Sequence, residues 1–441
     1  MKVTKMAGLG LAVALLGASA VGHAQDKPYA GTTLRIGTQA SQWADVFKKM
    51  APQFTEETGI EVVFDDISFD VMYEKLMTTF IGGASTYDLV WYDSMWAPEF
   101  AKAGWVKDLT PYLADDKLTP ASFDYPNGFY ATEITGNYAD GNVWRLPAGV
   151  WGIPWIAGFN PLYYRTDLFE KAGIVDAEGK ARPPETMADL LADAKKLNDP
   201  ANKVYGFVMS AKQPRIVYDW SQFLWTYGGD FFDADFKPIF NSDAGVTSLE
   251  TYIELGKNAP PGVGAYHITE AWTSFMQGSA ALAWTWQDLA SVAREDSAII
   301  GKFLCAAPPT HDGKRVSLLG AITASVPSSA SNPEAAYLFV TWAQEAQRAK
   351  EATLAGAMSW RKAIYDDPAV EEMYPSAAGD VEKLTIETAR PVPLIPEWAA
   401  VDQIIGEQVS AAFAGTKSPK EALDEAARRV EEFMGKAGYY N

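Results

Sequence analysis

TLRIGTQASQWADVFKKMAPQFTEETGIEVVFDDISFDVMYEKLMTTFIGGASTYDLVWYDS, Thr33 to Ser94, decides the fold. Thr33 to Gly37 reads as a short strand with a polar exit. Trp43, Val46, Phe47, Met50 and Phe54 then recur at helical spacing and lay one apolar face. Thr58-Gly59 ends that helix, and Glu61 to Phe64 is the next strand. Tyr73 to Ile81 is a second apolar-faced helix closed by Gly82-Gly83, and Asp88 to Trp91 is a third strand. Alternation of this β-α-β-α-β kind predicts a parallel sheet covered on both faces. In such sheets ligands gather beyond the carboxyl ends of the strands. Those ends carry Gln39, Ser41 and Gln42, then Asp65 and Asp66, then Asp93 and Ser94.

Beyond this unit the pattern breaks and resumes. Val150 to Gly158 is aromatic and punctuated by Gly and Pro. Tyr163-Tyr164 reads as a strand. Thr186, with Asp189 three residues on, caps a helix through Leu197. Val204 to Val208 is a further expected strand, and a helix spans about Tyr218 to Tyr227. A second lobe is therefore expected from about Trp155. The last third is helical: Val401 to Phe413 is amphipathic, and Ser418-Pro419-Lys420-Glu421 starts a final helix with a capping Ser and Pro in its first turn.

The amino terminus reads as an address. Lys2 and Lys5 precede an apolar run to about Leu16, and Gly22 and Ala24 suit a secretory cleavage site. Residues 1–24 are expected to be a signal peptide, with export to a bacterial periplasm. Their removal takes the formal charge of the 441-residue chain from −19 to −21. That acidity excludes a nucleic-acid partner, which needs a basic face. One Cys excludes an internal disulfide framework and a thiolate zinc site. His267 and His311, the histidines of the mature chain, lack ligand-spaced partners, so no metal and no cofactor is expected. The 15 Trp, 20 Tyr and 21 Phe are an excess that asks for a use.

Ordered blocks of sequence carry a resemblance. They are YDLVWYDSMWAPEFAKAGWVKDLTPYL (Tyr87–Leu113), GIPWIAGFNPLYYRTDLFEKAGI with PPETMADLLADAKKL, and FLWTYGGDFF with AWTSFMQGSAALAWTWQDL. The last is LLGAITASVPSSASNPEAAYLFVTWA with AMSWRKAIYDDP and RPVPLIPEW. Together they resemble the family 1 extracellular solute-binding proteins of ABC importers, the maltodextrin- and sugar-binding receptors. The resemblance implies an α/β, two-lobed periplasmic binding protein fold, type II-like, with three hinge crossovers and a ligand cleft between the lobes. The N-terminal lobe would hold residues 25–154 plus 320–353, and the C-terminal lobe 155–319 plus 354–441. It also implies a monomeric, non-catalytic receptor that passes a small carbohydrate to membrane permease subunits. The alternatives are a polyol, sugar acid or anionic glycoside as ligand, or an exported carbohydrate-active enzyme.

A sugar offers apolar C–H faces and a polar rim, so its receptor needs aromatic faces and carboxylates or amides. Gln39, Ser41, Gln42 and Trp43 lie after the first strand, and Asp66 after the second. By the resemblance, Asp93 sits in a ligand-contact loop, and Trp155 and Gly158 at the first crossover. Tyr218 and Trp220 match a site-facing helix start. Trp284, Trp286, Gln287 and Asp288 match a loop that carries a stacking Trp, and the alternation of Trp284 and Trp286 would put both on one strand face. Gly320 matches the second crossover, where Ala321 departs from a glycine pair; Trp360 and Arg361 match the third. Trp91, Trp96, Trp105, Trp342 and Cys305 read as core.

Overall fold

A computed structural model gives the structure of the protein and describes residues 27–213, 215–295, 297–373 and 381–440. The expected leader and its cleavage site lie outside the described residues. In chain order, the elements that position the site are β1 (Thr33–Gln39), α1 (Gln42–Thr58), β2 (Glu61–Ile67), α2 (Phe69–Ile81) and β3 (Leu89–Asp93). Then come β4 (Ile153–Phe159), β5 (Leu162–Arg165), α3 (Met187–Leu197), α4 (Arg215–Thr226) and α5 (Ile268–Met276). They are followed by β6 (Leu282–Trp284), α6 (Asp288–Glu295), β7 (Phe303–Ala306), β8 (Ser317–Ser325), β9 (Ala389–Arg390), α7 (Trp398–Phe413) and α8 (Pro419–Lys436).

The opening unit folds as its periodicity demands. Ser41 caps α1, its Oγ accepting from Ala44 N at 3.2 Å. Gly59, at φ 74°, ends the helix in the left-handed region where a side chain would be strained. β1 pairs in parallel with both β2 and β3. Every residue of β3 is buried, as expected of a strand covered on both faces. Asp66 belongs to β2, opposite Thr38, and does not follow the strand as expected.

The sheet is mixed, not purely parallel. Its order is β9-β8-β3-β1-β2, and β4 also pairs with β8. β8 runs antiparallel to both β3 and β4. A second, antiparallel sheet has the order β6-β5-β7. The chain passes from one sheet to the other between Phe159 and Leu162, and back between Ala306 and Ser317. The expected boundaries at 154 and 320 therefore fall inside β4 and β8. Val204 to Val208 forms no strand; Tyr205 and Val208 make isolated bridges to Ala280 and Ala283.

Two large cores form, and the first extends onto the second sheet through Tyr163, Ala283, Phe303 and Cys305. One gathers β1, β3, β4 and α1 around Trp91 and Trp155, whose rings stack at 4.6 Å and 30°. Such a pair contributes about 0.5–1.5 kcal/mol beyond its buried area. The other gathers α3, α4, α7 and α8 with Trp220, Trp284 and Trp398. Trp96 packs on Phe69 at 5.7 Å, Trp105 against Phe80 at 6.0 Å, and Trp342 against Phe54 at 5.2 Å. Cys305 is a buried residue of β7. Among the described residues, no helix is long and apolar enough to cross a membrane, and no cluster of His, Cys, Asp and Glu could hold a metal ion.

Candidate ligand-binding cleft

A cleft of about 1000 Å³ opens where the carboxyl ends of β1 and β3 face α4, α5 and the loop after β6. Of the expected residues, Gln39, Ser41, Gln42, Trp43, Asp93, Gly158, Trp286, Asp288 and Gly320 line it. The sequence is some 280 residues long between the first and last of these, and β-pairing closes that distance.

Each lining residue has a local reason for its place. Gln39 ends β1 and Ser41 caps α1, so both sit at a strand-to-helix turn. Trp43 is nearly buried, 6.2 Å from Trp91, and lines the cleft. Asp93 ends β3 and caps the following turn, accepting from Met95 N at 3.2 Å. Asp288 starts α6 and accepts from the side chain of Gln287 at 3.1 Å.

Trp286 lies beyond β6, which stops at Trp284. The benzo edge of its ring, at Cζ3 and Cη2, abuts the backbone of two glycines, Gly158 of β4 and Gly320 of β8, which are register partners. A Cβ on Gly158 would come within 3.0 Å of the ring, and one on Gly320 within 2.8 Å. Neither glycine has a positive φ. The reason for glycine here is room for an indole, not freedom of the backbone. Tyr218 stands behind that ring at 6.5 Å, buried and outside the cleft lining.

The remaining expectations are corrected. Trp155 is fully buried between Phe47 and Trp91, each at 4.6 Å, because β4 is covered on both faces. Trp220 donates Nε1 to Ser248 Oγ at 3.0 Å inside the second core. Trp284 donates Nε1 to Asn160 O at 3.0 Å and packs on Phe223, so it shares no face with Trp286. Trp360 is buried against Phe159 and Tyr130. Arg361 is also buried; Nη1 donates to Phe123 O at 2.7 Å and Nη2 to Ser122 O at 2.9 Å. Its guanidinium is consumed by a loop of its own chain. Asp66 accepts from Lys48 Nζ at 2.6 Å on the outer face.

Arg215 and Trp272, which the sequence did not single out, and His267, which it read as ordinary, also line the cleft. Arg215 begins α4, where every residue is buried, and its Nη1 lies 3.5 Å from Asp93 Oδ2. The guanidinium also sits 4.0 Å above the Phe69 ring, a cation–π contact. The pair joins the end of β3 to the first turn of α4, and so joins the two cores. Lys212 and Asp70, at 3.9 Å, and Lys102 and Glu397, at 3.5 Å, repeat that bridge farther out. An Arg at the head of a helix rich in aromatic and aliphatic residues was the available signal.

Electrostatics set the character of the site. Burial raises the Asp93 carboxyl, and Arg215 opposes the rise. Burial pushes Asp288 up to about 7 and, behind the cleft, Asp402 up to about 8. Burial and Arg215 lower His267 to about 4, so its imidazole is neutral near pH 7. The cleft thus combines indole rings, carboxyl groups, two amides, an exposed lysine and a guanidinium already engaged by a carboxylate. That set can stack on apolar faces and bond hydroxyls.

Known proteins place the chain. In Sinorhizobium fredii, a protein named as a probable amino-acid ABC transporter periplasmic-binding protein is 27% identical over 94% of this chain and 92% of its own. An ABC transporter solute-binding protein of Agrobacterium radiobacter, solved with ribitol, is similar in structure with a TM-score of 0.80. It is 31% identical, covering 92% of this chain and 99% of that one. One from Agrobacterium vitis, solved with D-mannitol, has a TM-score of 0.78 at 25% identity, covering 93% and 100%. These likenesses extend the two sheets and two cores to a two-lobed periplasmic binding protein fold. The profile of the bacterial extracellular solute-binding proteins matches residues 40–350. The chain belongs to that family of bacterial extracellular solute-binding proteins.

Proposed function

We propose that the protein captures a neutral polyhydroxylated ligand, a carbohydrate or a polyol, in this cleft and presents it to the permease of an ABC importer. The observation that carries the reading is the pairing of indole rings, Trp43 and Trp286, with Asp93 and Asp288 in one cleft between two cores. Stacking uses the C–H faces of the ligand, and the carboxyl groups accept from its hydroxyls. The ribitol- and mannitol-bound relatives support the same ligand class. A sugar acid or an amino acid fits less well. Of the two cations that line the cleft, the Arg215 guanidinium is already held by Asp93 at 3.5 Å, and Lys49 is exposed to solvent.

The mechanism is capture by closure. Ligand touching both sides of the cleft stabilises the closed form in proportion to its extra contacts there. We assign the mobile units to residues 25–159 plus 317–390 and 160–316 plus 391–441, because Trp360, Ile364 and Tyr365 pack in the first core, Arg361 bonds Ser122 and Phe123, and β9 pairs with β8. The protein acts as a monomer, performs no turnover, and is exported with cleavage after Ala24. A thermal-shift panel tests the reading: D-mannitol, ribitol, maltose, gluconate, mannitol 1-phosphate and the α-amino acids. Ligand at 100 times its Kd stabilises by about 2.7 kcal/mol. Shifts with the neutral compounds alone support the proposal. A shift confined to gluconate, the phosphate or an amino acid overturns it, as does hydrolysis of an oligosaccharide.

A further inference from the structure

The loop that carries Trp286 and Asp288 is fastened to the crossing strand by the residue between them. Gln287 is fully buried and does not line the cleft. Its Oε1 accepts from Phe159 N at 3.0 Å, and its Nε2 donates to Ala157 O at 2.6 Å. The same Nε2 donates to Asp288 Oδ1 at 3.1 Å. Its own backbone N donates to Phe159 O at 3.0 Å. Tyr163 Oη closes the other side, donating to the carbonyls of Trp286 at 3.1 Å and Gln287 at 3.0 Å.

Ala157 and Phe159 flank Gly158, the residue at the edge of the Trp286 ring. One primary amide thus clips the loop to β4 on both sides of the indole seat. It also takes one oxygen of Asp288, which leaves the other to turn toward the cleft. β4 is the strand that leads from the first sheet into the second. The loop is bonded to that strand, so the ring and carboxyl it carries ride on the hinge.

We infer that Gln287 is the positioning residue of the binding site. It fixes the distance of the Trp286 ring edge from Gly158 and Gly320 and the rotation of the Asp288 carboxyl. Neither Glu nor Met can replace it. Glu keeps the acceptor for Phe159 N, but its carboxylate has no donor for Ala157 O and faces Asp288. Met fills the space and makes no hydrogen bond. The inference rests on the cleft being the polyol or carbohydrate site; the placement of the ring does not.

The test uses full-length mature protein labelled with 5-fluorotryptophan, with the Trp286 resonance assigned by its loss in Trp286→Phe. Gln287→Met and Gln287→Glu are compared with the unsubstituted protein by 19F NMR without ligand. Affinity for ribitol and D-mannitol is measured alongside, and far-UV circular dichroism checks the fold. The expected result is a displaced or broadened Trp286 signal in both variants, with the core resonances of Trp91 and Trp155 unmoved. Affinity falls roughly tenfold or more, the effect of losing buried hydrogen bonds to the recognition loop. An unmoved Trp286 signal in a folded variant overturns the inference. So does unchanged affinity. If the unsubstituted protein binds neither polyol, the ligand reading fails, and the 19F signal still decides the role of Gln287. If Gln287→Met does not fold, Gln287→Glu carries the same comparison.

Discussion

Substituting alanine for Gly320 should strain the floor of the cleft through one contact. The new Cβ would stand 2.8 Å from Cη2 of Trp286 and 3.1 Å from Cζ3. Carbon pairs rest at about 3.5–4.0 Å, so the nearer contact is about 0.7 Å too short. The ring has no room on that side, because Gly158 abuts the same edge. Overpacking of this size costs about 1–3 kcal/mol. The backbone itself accepts alanine, since φ is not positive. In a Trp286→Leu background the clash partner is gone, and Gly320→Ala should cost less than about 0.5 kcal/mol. Gly158→Ala supplies the control. Its Cβ would also stand 2.8 Å from the Gly320 carbonyl oxygen, and that backbone clash survives removal of the indole. Urea unfolding followed by circular dichroism, with m compared across the set, reads the cycle. Equal costs for Gly320→Ala in the two backgrounds would refute the seat.

Arg215→Met should lower stability by roughly 3–5 kcal/mol, because it strands the buried Asp93 carboxylate. Adding Asp93→Asn should recover part of that loss in urea unfolding, and failure to recover it would break the link between the two residues. Arg361→Met should also destabilise, by about 2–4 kcal/mol for the two buried carbonyl bonds it loses. Calorimetric affinity for a polyol should stay unchanged, since the guanidinium does not reach the cleft. Asp288 titrates at about 7 in the fold against 3.8 in the free residue, so the native state holds the extra proton between those values. Stability contributed by this group is therefore present below pH 4 and lost as pH rises toward 7. Asp288→Asn should remove that slope, gaining on the unsubstituted protein as pH climbs from 4 to 7; parallel pH profiles would contradict it.

Much of the architecture was legible from local chemistry. The helical spacing of Trp43 to Phe54 marks α1, and Thr58-Gly59 marks its end. Asp189 opposite Thr186 and Glu421 opposite Ser418 form the capping boxes the spacing predicts. Polar residues at the ends of β1 and β3 reach the cleft because a parallel pair points both ends the same way. Val204 to Val208 misled because its apolar run suits burial in any backbone form. Only isolated bridges formed there.

Periodicity and charge settled the β-α-β-α-β unit and the exclusion of nucleic acid, because both depend on neighbours in the chain or on a sum over it. The sorting of the aromatics depended on the fold. Trp43 and Trp155 look alike as sequence, yet one reaches the cleft and the other fills a core. Strand β4 is buried on both faces, so alternation along it carries no information about a ligand. Gly158 and Gly320 acquire a common purpose only when β8 pairs antiparallel with β4, across some 160 residues of chain. Arg215 and Asp93 are likewise strangers in sequence and partners at 3.5 Å. Such contacts are decided by strand pairing and packing between distant segments, and no local pattern records them.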